Sequence, residues 1–236
     1  MTPISTLKPQ RQARRHPVAA LFAIAALAAL AASLAAPAAF AGAAGTPALL
    51  GLAIGAPESA ERALHLAVAD SAVAPSLAIR RYELPDGGNL EVTVDRATNQ
   101  IVLLQHLRLG QTGVVASDLA GFDYGRTTLA GIRKVCGSNG FIYPKGPTGD
   151  QVGDRFVLVN AYDVAGQPLV VVFLTSVPMD DVRKLAAGDR KNPDALGDLA
   201  VLSGMILARR DFVEKVWGAG RMADDPCPPV PWTARR

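Results

Sequence analysis

Apolar and polar positions change their period along this chain, and each change predicts a different element. Residues 18–36 are an almost unbroken run of Ala and Leu. From Pro57 to Val68 the pattern is helical, with Leu64 and Val68 on one stripe. Pro57 suits a first helical turn, and Glu58 and Glu61 sit at the positive end of the dipole. After Pro75 the period drops to two. Ile79–Leu84 reads as a strand, Pro85-Asp86-Gly87-Gly88 as a tight turn, and Asn89–Val94 as a second strand alternating Leu90, Val92 and Val94 against Glu91 and Thr93. A turn over residues 95–100 leads to a third strand from Ile101 to Leu109.

The same plan recurs further along. Thr127 or Thr128 caps a short helix running through Leu129, Ile132 and Cys136, and Gly137 supplies its left-handed stop. Phe141-Ile142-Tyr143 begins a strand. Phe156–Tyr162 and Leu169–Leu174 are two strong strands around the turn Asp163-Val164-Ala165-Gly166. Beyond Val177 the reading becomes helical again: a short helix opens at Pro178-Met179-Asp180-Asp181. A longer one spans Asp194 to Trp217, because Leu196, Leu199, Leu202, Met205 and Ile206 fall at helical spacing, although Gly204 interrupts that face.

The expected fold class is therefore α+β. Residues 1–41 form a signal peptide and 42–50 a loose N-terminal segment. Residues 51–110 and 111–176 are two units of a helix plus antiparallel sheet, alike as a tandem repeat would be in pattern and not in identity. Residues 177–236 form a helical C-terminal tail.

The leader carries the first functional information. Residues 1–17 are polar and basic, the apolar run follows, and Pro37 stands ahead of Ala39-Phe40-Ala41, small residues at the positions signal peptidase accepts. The expected cut follows Ala41, with Ala43 and Ala44 as alternative sites. A membrane anchor is the alternative reading, since the run is just long enough to span. Cleavage predicts a periplasmic or secreted protein that meets the membrane only through its leader. Export changes how Cys136 and Cys227 are read, the only two cysteines of the chain. An oxidising compartment favours pairing them, and closing so long a loop would stabilise by roughly 4–5 kcal/mol. Such a disulfide would tether the tail to the second unit. A thiol catalyst is the sharper alternative.

Charge narrows the partners. The net charge is +3, but the first 41 residues hold four basic residues and no acid, which leaves 20 basic against 21 acidic residues in the remainder. No basic face is marked for nucleic acid.

Gly51-Leu52-Ala53-Ile54-Gly55 and Gly121-Phe122-Asp123-Tyr124-Gly125 enter the two units with the same glycine spacing. Thr127-Thr128-Leu129-Ala130-Gly131-Ile132-Arg133 runs on to Gly137 and Gly140. On these segments the chain resembles the beta-lactamase-inhibitor-like and small outer-membrane assembly lipoprotein superfamily over about residues 51–176. The resemblance implies exported modules with short helices on one face of an antiparallel sheet. The first unit departs from the pattern, with Ala56-Pro57-Glu58 in place of the Thr cap, and no binding motif of either family is visible to carry over.

Candidate chemistry is sparse. His65 and His106 read as structural, and Asp180-Asp181 and Asp224-Asp225 lack the further oxygen ligands a calcium site requires. No metal or cofactor is expected, and no catalytic residue is singled out. Arg80 and Tyr82 share one face of a strand and are residue types favoured at the centres of interfaces, so they are candidate binding residues. Ser138, Asn139 and Tyr143 in the 137–145 loop are the others. The leading expectation is a non-enzymatic module that binds another envelope protein through its sheet. The alternative is a small-molecule-binding or hydrolytic envelope enzyme with its site at that loop.

Overall fold

The two alternating regions join into one eight-stranded antiparallel sheet rather than closing separately. In the computed structural model, which describes residues 46–188, 195–223 and 226–235, the chain begins with a small hairpin of β1 (Ala48–Leu49) and β2 (Leu52–Ala53). A 3-10 helix follows over Glu58–Leu64, then β3 (Val68–Val73), β4 (Leu77–Glu83), β5 (Asn89–Asp95) and β6 (Gln100–Leu107). A short pair, β7 (Val115–Ala116) and β8 (Asp123–Tyr124), leads into α1 (Leu129–Cys136). Then come β9 (Asp150–Val152), β10 (Arg155–Asp163), β11 (Leu169–Pro178), α2 (Met179–Ala187), α3 (Ala195–Leu199), β12 (Val201–Arg209) and α4 (Arg210–Trp217). The strand order in the large sheet is β3-β4-β5-β6-β12-β11-β10-β9. The leader, its expected cut after Ala41, and Asp224-Asp225 lie outside the described residues.

The fold is α+β as expected, but the C-terminal region is not a helical tail. Residues 201–209 form the central strand, hydrogen-bonded to β6 on one side and β11 on the other. From Leu202 to Ala208 every residue of that strand is buried. A continuous apolar run of this kind carries neither a period of 2 nor one of 3.6 unambiguously, and a strand covered on both faces has no polar side to show. Gly204 was the local sign of a strand held close to its neighbours. The first helix is shorter than its pattern suggested. It is a 3-10 segment ending at His65 in the left-handed conformation (φ 52°), and the chain then turns into β3.

Register fixes which residues share a face. Tyr82, Leu90, His106 and Met205 stand opposite one another in successive strands, as do Arg80, Val92, Leu104 and Leu207. This face is covered by the β1–β2 hairpin, Leu119, Phe122, Tyr124 and α1 through Ile132 and Cys136. The opposite face, with Leu103, Val170, Val172, Ile206 and Ala208, packs under Phe212, Val213 and Trp217 of α4 and under Phe141 and Tyr143. Helix α1 is as the sequence specified: Thr128 Oγ1 accepts from the Gly131 N–H (3.1 Å), and Gly137 closes it at φ 67°.

The expected disulfide is absent: Cys136 and Cys227 are not bonded to each other. The two segments nevertheless meet, since a β-carbon on Gly137 would stand 3.9 Å from Pro228 Cγ. The C-terminal segment is held by backbone hydrogen bonds instead. Val230 donates to the Asp163 carbonyl (2.7 Å), Ala165 to Val230 (2.9 Å), Ala120 to Thr233 (2.8 Å) and Arg235 to Asp118 (2.8 Å). Arg235 also pairs with Asp123 at 2.5 Å. A segment bridged to two separate parts of the body is docked without a covalent tether.

Candidate functional site

Arg80 and Tyr82 do share a face, but it is the face beneath the 3-10 helix. Tyr82 is 3% exposed, so it is not available as a surface contact. Its hydroxyl donates to Glu61, which is itself buried and also accepts from Arg80 Nη1 (2.8 Å), while Arg80 Nη2 pairs with Glu58. Burial and the adjacent Glu61 raise the Tyr82 hydroxyl well above the ordinary phenol range. The cluster fastens the 3-10 helix to the sheet. Arg81 points the other way and pairs with Glu91 (2.8 Å) and Asp70 (3.6 Å).

The 137–145 loop is likewise committed to the fold. Ser138 is buried, its Oγ accepts from the Gly140 N–H (2.8 Å), and its carbonyl accepts from the Tyr162 hydroxyl (2.9 Å). The Asn139 carbonyl accepts from Asn160 Nδ2 (2.7 Å). Tyr143 is buried against the rings of Phe141 and Trp217, and burial pushes its hydroxyl up to about 12. The structure thus gathers Ser138 and Asn139 into one turn with structural partners and separates them from Arg80 and Tyr82. Among the described residues no group of three or more His, Cys, Asp or Glu side chains could hold a metal ion, and no helix is long and apolar enough to cross a membrane.

Two features that the sequence reading did not single out are open to solvent. The first is β3, Val-Ala-Asp-Ser-Ala-Val, an edge strand of the eight-stranded sheet with all six residues exposed; Val73 is 69% exposed. Ala74 and Leu77 exchange both backbone hydrogen bonds (2.9 and 3.3 Å), which sets the alternation of the β3–β4 ladder. The N–H and C=O groups of Ser71 and Val73 therefore point away from β4, into solvent. A bulge between Val68 and Asp70 leaves residues 70–73 as the regular portion. The only sequence trace of this strand is a weak apolar rhythm of small residues, which the helical pattern upstream concealed.

The second is a cleft where the two halves of the sheet meet, at the ends of β6, β11 and β12. Arg108, Arg155, Ser176 and Ser203 line it together with the backbones of Gly110, Gly113 and Gly125. Its cavity volume of about 20 Å³ has room for roughly one water. Arg108 is buried and ion-paired with Asp86, while Arg155 donates through Nε to Ser176 Oγ (2.9 Å). Gly125 belongs here because its φ is +74° and a β-carbon would fall 2.5 Å from the Gly113 carbonyl oxygen.

The chain matches no protein-family model, no curated protein and no solved structure.

Proposed function

We propose that this chain is an exported protein-binding module, periplasmic or secreted after cleavage near Ala41, and that its partner adds an extended strand to β3. The observation that carries the reading is the exposed edge formed by residues 70–73. It presents a row of outward backbone donors and acceptors that an extended segment can satisfy. Soluble proteins ordinarily blunt such an edge with charges, Pro, a bulge or a covering loop; here the bulge ends at Asp70, and residues 71–73 carry no charge or Pro and are covered by no described segment. The partner segment would set an apolar residue against Val73 and a basic one near Asp70. The leader pattern supports export, and the resemblance to exported antiparallel-sheet modules agrees with a binding role.

The test is photocrosslinking in cells producing the full chain with a benzophenone amino acid in place of Val73. The expected result is one discrete crosslinked product, lost when Ser71→Pro removes an outward N–H and keeps the internal ladder intact. A product indifferent to Ser71→Pro, or none at all, overturns strand addition. N-terminal sequencing of the same protein should begin at Gly42 or within a few residues; an intact leader in membranes overturns release.

A further inference from the structure

We infer that the cleft at the junction of β6, β11 and β12 binds a carboxylate group. The wall contains no acidic side chain, and beside the Gln111 carboxamide its polar side chains are the Arg108 and Arg155 guanidinium groups and the Ser176 and Ser203 hydroxyls. Arg155 spends Nε on Ser176 Oγ (2.9 Å) and one terminal nitrogen on the Ser176 carbonyl (3.3 Å), and it pairs with no carboxylate among the described residues. Ser176 Oγ accepts that bond, so its own hydrogen remains available to donate. Arg108 uses one terminal nitrogen on Asp86, which leaves its Nε and second terminal nitrogen uncommitted. Ser203 donates to the Leu174 carbonyl (3.2 Å) and forms part of the wall rather than a donor. Gln111 turns its amide toward Gly87.

The charge count specifies the ligand. Asp86 neutralises Arg108, so the cleft holds one uncompensated positive charge, that of Arg155. A guanidinium beside a hydroxyl donor matches a planar monoanion able to accept from both. The cavity takes one carboxylate oxygen in the space of a water, the rest of the group standing in the open mouth, and a single positive charge favours a monoanion over a sulfate dianion. The glycine backbones at Gly110 and Gly113, both at positive φ, leave the approach open: a β-carbon at either would meet nothing within 4 Å. The carboxylate can come from a free acid or from an acidic side chain or C-terminus of a bound protein.

The test follows the Arg155 Nε–H resonance and the Ser203 backbone amide in ¹⁵N-labelled full chain during titration with sodium acetate, sodium sulfate balancing ionic strength. Saturable shifts at both positions are expected, with acetate affinity falling about tenfold or more in Arg155→Gln and several-fold in Ser176→Ala, which keeps the charge. A peptide ending in a free carboxylate that binds far more tightly than acetate, and than its amidated form, identifies a protein source; equal affinity for peptide and acetate identifies a free acid. A linear, unsaturating response, an equal response to sulfate, or acetate affinity unchanged in both variants overturns the inference. Because Ser176→Ala perturbs the fold least, a folding failure of Arg155→Gln leaves the decision to that variant. The site lies apart from β3, so its failure and that of strand addition are independent.

Discussion

Gly204 lies against Leu107 with no space between them: a β-carbon on Gly204 would fall 2.8 Å from Leu107 Cδ1. It would also come within 3.0 Å of Leu174 Cδ1 and 3.2 Å of the His106 carbonyl oxygen. The glycine thus lets side chains from the strands on either side close over β12, the strand that joins the two halves of the sheet. Leu107 is only partly buried and can swing outward, whereas Leu174 is fully buried. Gly204→Ala should therefore cost about 1 kcal/mol and Gly204→Val about 3 kcal/mol. Leu107→Ala should cost less in the Gly204→Ala background than alone. Urea unfolding of the four proteins measures the coupling; strictly additive losses would show that the contact does not constrain β12.

The Tyr82–Glu61–Arg80 cluster predicts stability effects rather than binding effects. Tyr82→Phe removes one donor from a buried carboxylate that keeps Arg80, and should cost about 2 kcal/mol. Glu61→Ala strands the buried Tyr82 hydroxyl and leaves Arg80 with Glu58 alone, and should cost about 2–3 kcal/mol. Crosslinking at Val73 should persist in Tyr82→Phe below its unfolding temperature. If crosslinking disappears in a fully folded Tyr82→Phe protein, the tyrosine takes part in binding after all.

How far the sequence could be read follows from what each residue had to do. Alternation of apolar and polar residues predicted β5, and the turns on either side marked β4 and β6, although β5 and β6 are buried along their whole interior. The Thr128 cap and the Gly137 stop marked α1 because both act locally. The strand β12 reads as helix because no turn separates it from α3 and α4, so the apolar residues of all three fall into one helical spacing. Arg80 and Tyr82 were correctly placed on one face, yet a period of two cannot say which face is covered. That depended on Glu61, nineteen residues upstream of Arg80, folding back over the sheet. The cleft was invisible for the same reason: Arg108, Arg155 and Ser176 converge only when residues 201–203 are inserted between the two halves.

His106 predicts an acid-sensitive core. It is 2% exposed, its ring meets Tyr124 at 4.7 Å between centroids, and neither ring nitrogen has a hydrogen-bond partner among the described residues. Burial lowers its pKa from 6.5 to about 4, with Asp86 opposing that shift and Arg108 adding to it. The unfolded chain therefore takes up a proton near pH 6.5 that the folded protein resists until about pH 4. The contribution is complete above pH 6.5 and is lost as pH falls through that window, reaching about 3 kcal/mol. His106→Phe keeps the ring contact and cannot titrate. Its loss of stability between pH 7 and pH 4.5 should be smaller than that of the parent by about 2–3 kcal/mol in urea unfolding. Parallel losses would assign the acid sensitivity to carboxylates elsewhere.

Cys136 predicts a thiol that is present but unreactive. It lies on the buried side of α1 with Leu129 and Ile132, and burial together with the nearby Cys227 pushes it up to about 12. At pH 8 only about one such thiol in ten thousand is ionised, against roughly a quarter of an unperturbed cysteine, and the thiolate is the reactive form. Labelling of the native protein with a thiol reagent at pH 8 should therefore modify Cys136 about a thousandfold more slowly than the unfolded chain. Mass mapping would separate it from Cys227. In denaturant without reductant, two thiols should titrate. Rapid native labelling of Cys136 would contradict its burial, and titration of none would show that the two sulfurs, whose segments meet at Gly137 and Pro228, are joined after all.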